Sequence, residues 1–343
     1  MELQLVKCHG MGNDFALVDV QGAAPTLGEA EMARLTTLLC ARKGIVGADG
    51  AIFVMGDVNA DAAVRIFNPS GGESELCING IRCAGRYISE QRGKASVLLS
   101  TASGVVPVGV SKSPFPGVHN LAMHVRGIAR RLTPNFYIWP HEELWDVSIN
   151  PLDSDLRFYA ITVGVPHILA IVNKITLPDL VALGEKANEL TRLFPAGVNV
   201  SFVVMADEST LFIRTFGRGG AGLTLSCSSA MLAAAFLACE LDTIRFGKLV
   251  HVYSGGGRAS ISCRAAQDAG TGEADIDGAS TFVYTATLEY NALDGTIGSE
   301  LGGQYNDAEV IQYGRYLESL GVADVESKVI IPSRLLKKAD FVM

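Results

Sequence analysis

The chain has 343 residues, 48% of them hydrophobic and 19% charged, with a net charge of −8, so length and apolar content suffice for about two domains with full cores. That acidic balance excludes a nucleic-acid binder, which needs a basic face to neutralise phosphates. The longest apolar run, Ala230–Cys239, is too short to cross a bilayer, which takes ~20 residues, and no partner in a membrane is expected.

The start, MELQLVKCHGMGNDF, lacks a basic segment followed by an apolar run, so no secretory leader is expected. Seven cysteines, an odd number without a CxxC pair, fit reduced thiols in the cytoplasm better than a disulfide framework. The six histidines stand at no ligand-like spacing to the cysteines, and no metal is expected.

In chain order, Glu2–Lys7 reads as a strand that runs into the loop Cys8–Phe15, and Ala16–Val20 as a second strand. Met32, Leu35, Leu38 and Leu39 give Glu29–Ala41 helical spacing. Ile52–Met55 and Ala62–Phe67 read as strands, and Ser96–Thr101 with Gly104–Val110 as a hairpin turning at Ala102-Ser103. The stretch from Lys112 to Pro151 holds five prolines and is read as the passage between halves, with at least one strand inside it. Beyond it the alternation repeats, with strands at Tyr159–Val163, Ile168–Val172, Val200–Met205 and Leu211–Phe216. Gly164-Val-Pro-His167 is a tight turn and Leu177–Leu193 a helix. Short strands with few helices predict an α+β fold. Asp307–Leu320 reads as an amphipathic helix in a tail that could form a homodimer contact or a lid, with a plain surface extension as the simpler expectation.

Two segments about 150 residues apart are versions of one another. Arg65-Ile-Phe leads through a glycine-rich loop to Cys77 and a helix, and Arg214-Thr-Phe leads through a similar loop to Cys227 and a helix of small residues. A duplicated half-site implies pseudo-symmetry, with two equivalent thiols able to face each other across one carbon. Such a pair can take a proton from one side and return it on the other, as in a racemase or epimerase that needs no cofactor. A helix start carries partial positive charge and unpaired N–H groups. It stabilises a thiolate and can bind a carboxylate. Asn79-Gly80 and Ser228-Ser229 follow the two cysteines, so their N–H groups are candidates for a small-molecule carboxylate and for the enediolate charge formed on proton loss. Cys8, Cys40, Cys83, Cys239 and Cys263 are read as small buried hydrophobes.

These residues resemble the diaminopimelate epimerase family, two-cysteine enzymes that work without pyridoxal phosphate. The pieces that match are Lys7-Cys-His-Gly-Met-Gly-Asn-Asp-Phe15, Gly47-Ala-Asp49, Arg65-Ile-Phe-Asn68 with Cys77-Ile-Asn-Gly-Ile-Arg82, Phe194-Pro195 with Val198-Asn199, and Arg214-Thr-Phe-Gly-Arg-Gly with Cys227. They run in family order over roughly residues 1–290. The resemblance implies two pseudo-symmetric α+β domains, each a curved sheet wrapped around a central helix, with the site in the cleft between them. It makes Cys77 and Cys227 the acid/base pair and puts Asn13, Asn68, Asn199 and Arg218 on substrate-contacting positions. It also returns Thr281–Tyr290 to the first domain. The layout expected is residues 1–125 plus about 281–293, then 126–280, then an extension of 294–343.

The departures bear on the substrate. The family's second motif has Glu-Arg-Gly, and that glutamate holds the substrate's α-ammonium; here the residues are Gly217-Arg218-Gly219, and the loop to Cys227 is one residue longer. Cys-Gly-Asn-Gly becomes Cys77-Ile-Asn-Gly80, Cys-Gly-Thr-Gly becomes Cys227-Ser-Ser-Ala230, and Gly-Asn-Pro-His becomes Gly164-Val-Pro-His167. The expected activity is therefore inversion of an amino acid or derivative other than free diaminopimelate. An isomerase shifting a double bond in a non-amino unsaturated acid, or a binding protein that keeps the cleft, are the alternatives. Glu73 and Glu75, in the first cysteine loop, are read as solvated carboxylates.

Overall fold

The computed structural model describes residues 1–22, 27–291, 293–298 and 302–321; the rest of the expected extension, 322–343, lies outside the described residues. The first half contains β1 (Glu2–Gly10), β2 (Asn13–Asp19), α1 (Glu29–Cys40), β3 (Gly50–Met55), β4 (Ala62–Phe67), α2 (Ile78–Arg92), β5 (Ser96–Thr101), β6 (Gly104–Ser111) and β7 (Asn120–Ala129). The second contains β8 (Phe158–Val163), β9 (Val165–Ile171), α3 (Leu177–Glu189), β10 (Asn199–Asp207), β11 (Thr210–Gly217), β12 (Gly222–Thr224), α4 (Ser228–Glu240), β13 (Leu249–Ser254), β14 (Gly257–Ala265) and β15 (Thr271–Asn291). Then come β16 (Thr296–Ile297), β17 (Gly302–Tyr305) and α5 (Asp307–Ser319).

The duplication extends to the strand pairing. In the first half the successive pairs from β1 to β7 are antiparallel, parallel, antiparallel, parallel, antiparallel and antiparallel. The same series runs β8–β9–β10–β11–β13–β14–β15 in the second half. Each half ends in a long strand that crosses to the other. The end of β7 pairs with β8 through Ile128 and Ala129, while β15 pairs residues 280–289 with β1 after pairing its earlier residues with β14 and β7. The architecture is α+β, with the two halves in one continuous sheet.

Each half wraps its sheet around one central helix. Every residue of α4 from Ser228 to Cys239 is buried, as the all-round small and apolar sequence requires, since a helix apolar on every face belongs in a core. In α2 the residues from Ile78 to Arg86 are buried without a break. Both helices share the largest apolar cluster, while α1 and α3 cover separate clusters on the outer faces. Each fully buried Ile, Leu or Phe there contributes roughly 1.5–3 kcal/mol against exposure.

The C-terminal helix departs from the surface extension expected. Tyr313, Tyr316 and Leu317 of α5 are buried in the cluster that holds α2 and α4. Glu309, itself buried, makes a two-pronged ion pair with Arg86 of α2. The amphipathic pattern was legible, but what its apolar face would meet is a long-range matter.

Candidate active site

Both cysteines of the duplicated motif cap the central helices: Cys77 precedes α2 and Cys227 precedes α4. Neither side chain makes a geometric capping hydrogen bond, and both residues are half-buried. The two helix starts are joined directly. Ser228 Oγ donates to Asn79 Oδ1 at 2.6 Å, and Asn79 Nδ2 donates to Ser226 O at 3.3 Å and to Asn13 Oδ1 at 3.2 Å. The residues flanking Cys227 are thus tied to the first turn of the helix that Cys77 opens. Gly10, Gly80 and Gly256 allow close packing at and beside this junction. A Cβ on Gly10 would stand 2.9 Å from Asn79 Cβ, one on Gly80 would stand 2.8 Å from Ile66 Cδ1, and one on Gly256 would overlap Met11 O.

Burial raises both thiols. Cys77 is pushed up to about 12, chiefly by loss of water, with the Cys227 sulfur adding to the rise and the Gly80 N–H opposing it. Cys227 is also raised by burial, opposed by the Ser229 hydroxyl and by the N–H groups of Ala230 and Ser229. Its Sγ lies 3.3 Å from Ser229 Oγ. The thiols are protonated at rest, and a thiolate formed there is poorly hydrated and strongly basic. Such a base suits a weakly acidic C–H, with the helix-start N–H groups offsetting part of the charge.

Of the remaining candidate residues, Asn13 is bonded to the junction through Asn79. Asn13 is held from behind by Asp49, Nδ2 to Oδ2 at 3.1 Å, within a cluster of Lys7, Asp14, Arg42 and Asp49. Burial pulls the Asp14 carboxyl upward, but hydrogen bonds and charges of Arg42 and Lys7 outweigh it and hold the group well below the usual range. Asn199 Oδ1 accepts the backbone N–H of Arg218 at 3.0 Å, and its Nδ2 donates to Pro166 O at 3.2 Å. Asn68 is exposed at the end of β4, where its N–H donates to Gly72 O at 2.8 Å and its carbonyl accepts from Gly71.

Two carboxylates that sequence reasoning left to solvent are paired. Glu73 bonds Arg65 at 2.6 Å. Glu75 bonds Arg218 at 2.6 Å, reaching from the first cysteine loop to the second. The signal available in the sequence was only that both loops are duplicated and must share a cleft. At Gly217, a Cβ would meet Ala221 Cβ at 2.8 Å. The Ala221 methyl therefore stands against the place where a glutamate side chain would begin. Gly164 sits at φ 65° between paired Val163 and Val165, and Leu76 packs on it. A side chain at 164 would be strained and would also push back the loop that carries Glu75 and Cys77.

His9 of the Asn13 loop is buried, its Nδ1 accepts the Gly12 N–H at 3.2 Å, and its ring lies 4.6 Å from that of Tyr313. Burial lowers it from 6.5 to about 4, despite the opposing pull of Asp14 and Glu309. His167 is lowered to about 3, again mainly by burial. With folded values depressed, the unfolded chain takes up protons first as pH falls. Stability is complete above about pH 6.5 and declines from there toward pH 4. Between 6.5 and about 4, His9 alone is expected to account for about 3 kcal/mol at about 1.36 kcal/mol per pH unit. Urea unfolding measured at intervals from pH 7.5 to pH 4, approximate limits set by these histidines, checks this; a flat profile would contradict the buried neutral rings.

Comparison with known proteins agrees with the geometry. A family model described as diaminopimelate epimerase matches residues 5–114 and 159–278. A relative named diaminopimelate epimerase, from Clostridium acetobutylicum, is 34% identical over 290 residues, which is 84% of this chain and 86% of that protein. Among solved structures, a PhzF-family phenazine biosynthesis protein from Bacillus anthracis superposes with a TM-score of 0.62 at 18% identity, covering 84% of this chain and 99% of that one. A probable proline racemase from Agrobacterium radiobacter does so with a TM-score of 0.62 at 16% identity, covering 85% and 94%. With a matching family model over both halves and a third of the aligned residues identical to such a relative, the chain belongs to the diaminopimelate epimerase family, a family of isomerases.

Proposed function

We propose that this chain inverts the α-carbon of an amino acid or amino-acid derivative by two-base proton transfer between Cys77 and Cys227, without pyridoxal phosphate. The observation that carries this reading is the pair of half-buried, uncapped thiols at two helix starts bonded to one another through Asn79 and Ser228. The substrate's carboxylate lies against the N–H groups of Asn79, Gly80, Ser228 and Ser229. One cysteine as thiolate removes the α-proton, the helix starts hold the enediolate charge, and the opposite thiol delivers a proton to the other face. The free thiols suit a reducing cytoplasm.

The substrate clamp differs from that of the family's diamino diacid. Gly217 provides no carboxylate for an ammonium, and Arg218 is already engaged by Glu75. A substrate relying on both would leave an ammonium unpaired, at about 1–3 kcal/mol. Incubating the protein with diaminopimelate and a panel of amino acids in heavy water should place deuterium on the α-carbon of one of them, read by NMR. No exchange with any amino acid would sink this reading. The same Gly217 favours one second reading, a double-bond shift in an unsaturated carboxylic acid, which an ultraviolet absorbance change with such acids would reveal.

A further inference from the structure

Among the described residues Arg82 is the largest wholly buried side chain, at 0% exposure. It lies in the second turn of α2, and its Nη2 donates both to Asn79 Oδ1 and, at 2.9 Å, to Ser228 Oγ. Its Nε and Nη1 have no hydrogen-bond partner, and among the described residues no carboxylate forms an ion pair with it. Burial pulls its guanidinium below the usual arginine range, opposed by the nearby Cys83, Asp277, Tyr313 and Cys77. The sheet is notched for it: a Cβ on Gly278 of β15 would stand 2.5 Å from its Nη1.

An unpaired buried cation is costly, and apolar side chains of like size commonly replace such groups without loss of stability. The duplication makes the point within this chain. Five residues after Cys227 the second helix has Leu232, also fully buried, where the first has Arg82 five residues after Cys77. A core position that accepts leucine in one half holds a cation in the other. What distinguishes the cation's place is that its one bonded nitrogen touches both helix starts at the junction beside the thiols.

We propose that Arg82 is a positioning residue of this site, a permanent charge walled in behind the two helix starts that clamps Asn79 to Ser228 and adds its positive field to theirs for a bound carboxylate. This rests on the reading that a carboxylate lies at those helix starts. Each helix end supplies about half an elementary charge, whereas the substrate arrives as an anion and gains further negative charge as the α-proton leaves. The protein's net charge of −8 works against it. A whole guanidinium shielded from water answers that need, and the same charge opposes the rise that burial imposes on Cys77.

Iodoacetate and iodoacetamide, alkylating agents of nearly equal size of which only the first has a carboxylate, test the field without turnover. The ratio of their rates is measured at Cys77 and Cys227 by peptide mass mapping. Arg82→Met should lower that ratio on the order of tenfold, equivalent to about 1.4 kcal/mol, while Arg82→Lys should keep it within about threefold. Arg82→Met should also melt at or above the wild-type temperature. An unchanged ratio in Arg82→Met overturns the proposal. So does a melting temperature well below wild type, which would make Arg82 a strut of the fold. A protein that shows the expected ratios yet exchanges no α-proton would lose its proposed reaction and keep its carboxylate site.

Discussion

Replacing either thiol, as Cys77→Ala or Cys227→Ala, is expected to lower α-carbon inversion by about 10²–10⁴-fold, the span that one positioned general acid or base provides. The two effects should be equally severe, because inversion needs both faces: a proton removed on one side must be replaced from the other. Each variant should still be folded, since neither side chain makes a capping hydrogen bond, and a change at such a position costs within about 1 kcal/mol. The variants should differ in isotope exchange. With one thiol left, one enantiomer can lose its α-proton to the remaining base and recover deuterium on the same face. Polarimetry for inversion and NMR for exchange separate the two steps. Inversion at the wild-type rate in either variant would remove that cysteine from the mechanism.

The second large effect is on stability. Glu309→Ala should destabilise the protein by about 3–5 kcal/mol, the cost of leaving one member of a buried ion pair alone. Glu309 accepts from Arg86 through both oxygens, from the Phe282 N–H at 2.9 Å and from Asn306 Nδ2 at 2.7 Å. Removing the carboxylate orphans Arg86 Nη2, the Phe282 N–H and Asn306 Nδ2, while the rest of the guanidinium retains the Ser280 carbonyl at 2.8 Å and the exposed Glu90. The guanidinium also lies 3.9 Å from the centre of the Phe282 ring, a contact that survives the change. Because Arg86 belongs to the helix that Cys77 opens, activity should fall along with stability. Ile311→Ala on the exposed face of the same helix should stay within about 0.5 kcal/mol. Chemical denaturation of the two variants makes the comparison; equal stabilities would show that α5 is a passive cover.

Legibility in the sequence followed the range of the interaction. The hairpin expected at 96–110 is present, with Thr101 facing Gly104 across the turn, because turn and alternation lie within one short window. The tight turn after Val163 closes on Gly164 alone, three residues shorter than the Gly164–His167 turn expected, because Val165, Pro166 and His167 already belong to β9. Leu177–Glu189 stops four residues before the helix end expected, and the chain turns there through Leu190 and Leu193 toward Phe194. Glu75 is exposed as expected, but its ion pair with Arg218 was not legible because the partner is 143 residues away.

The sequence by itself determined the duplicated order of elements, the two cysteines at helix starts and the wholly apolar second helix, since periodicity, glycine loops and helix entry are properties of a dozen neighbouring residues. Only the tertiary structure decided which groups meet. It placed Arg82 on Ser228 across 146 positions and Arg86 on Glu309 across 223, and it turned a tail helix into part of the core. Those choices depend on how the two halves close upon each other, and burial then raises the two thiols and lowers His9 and His167. No local pattern encodes that closure.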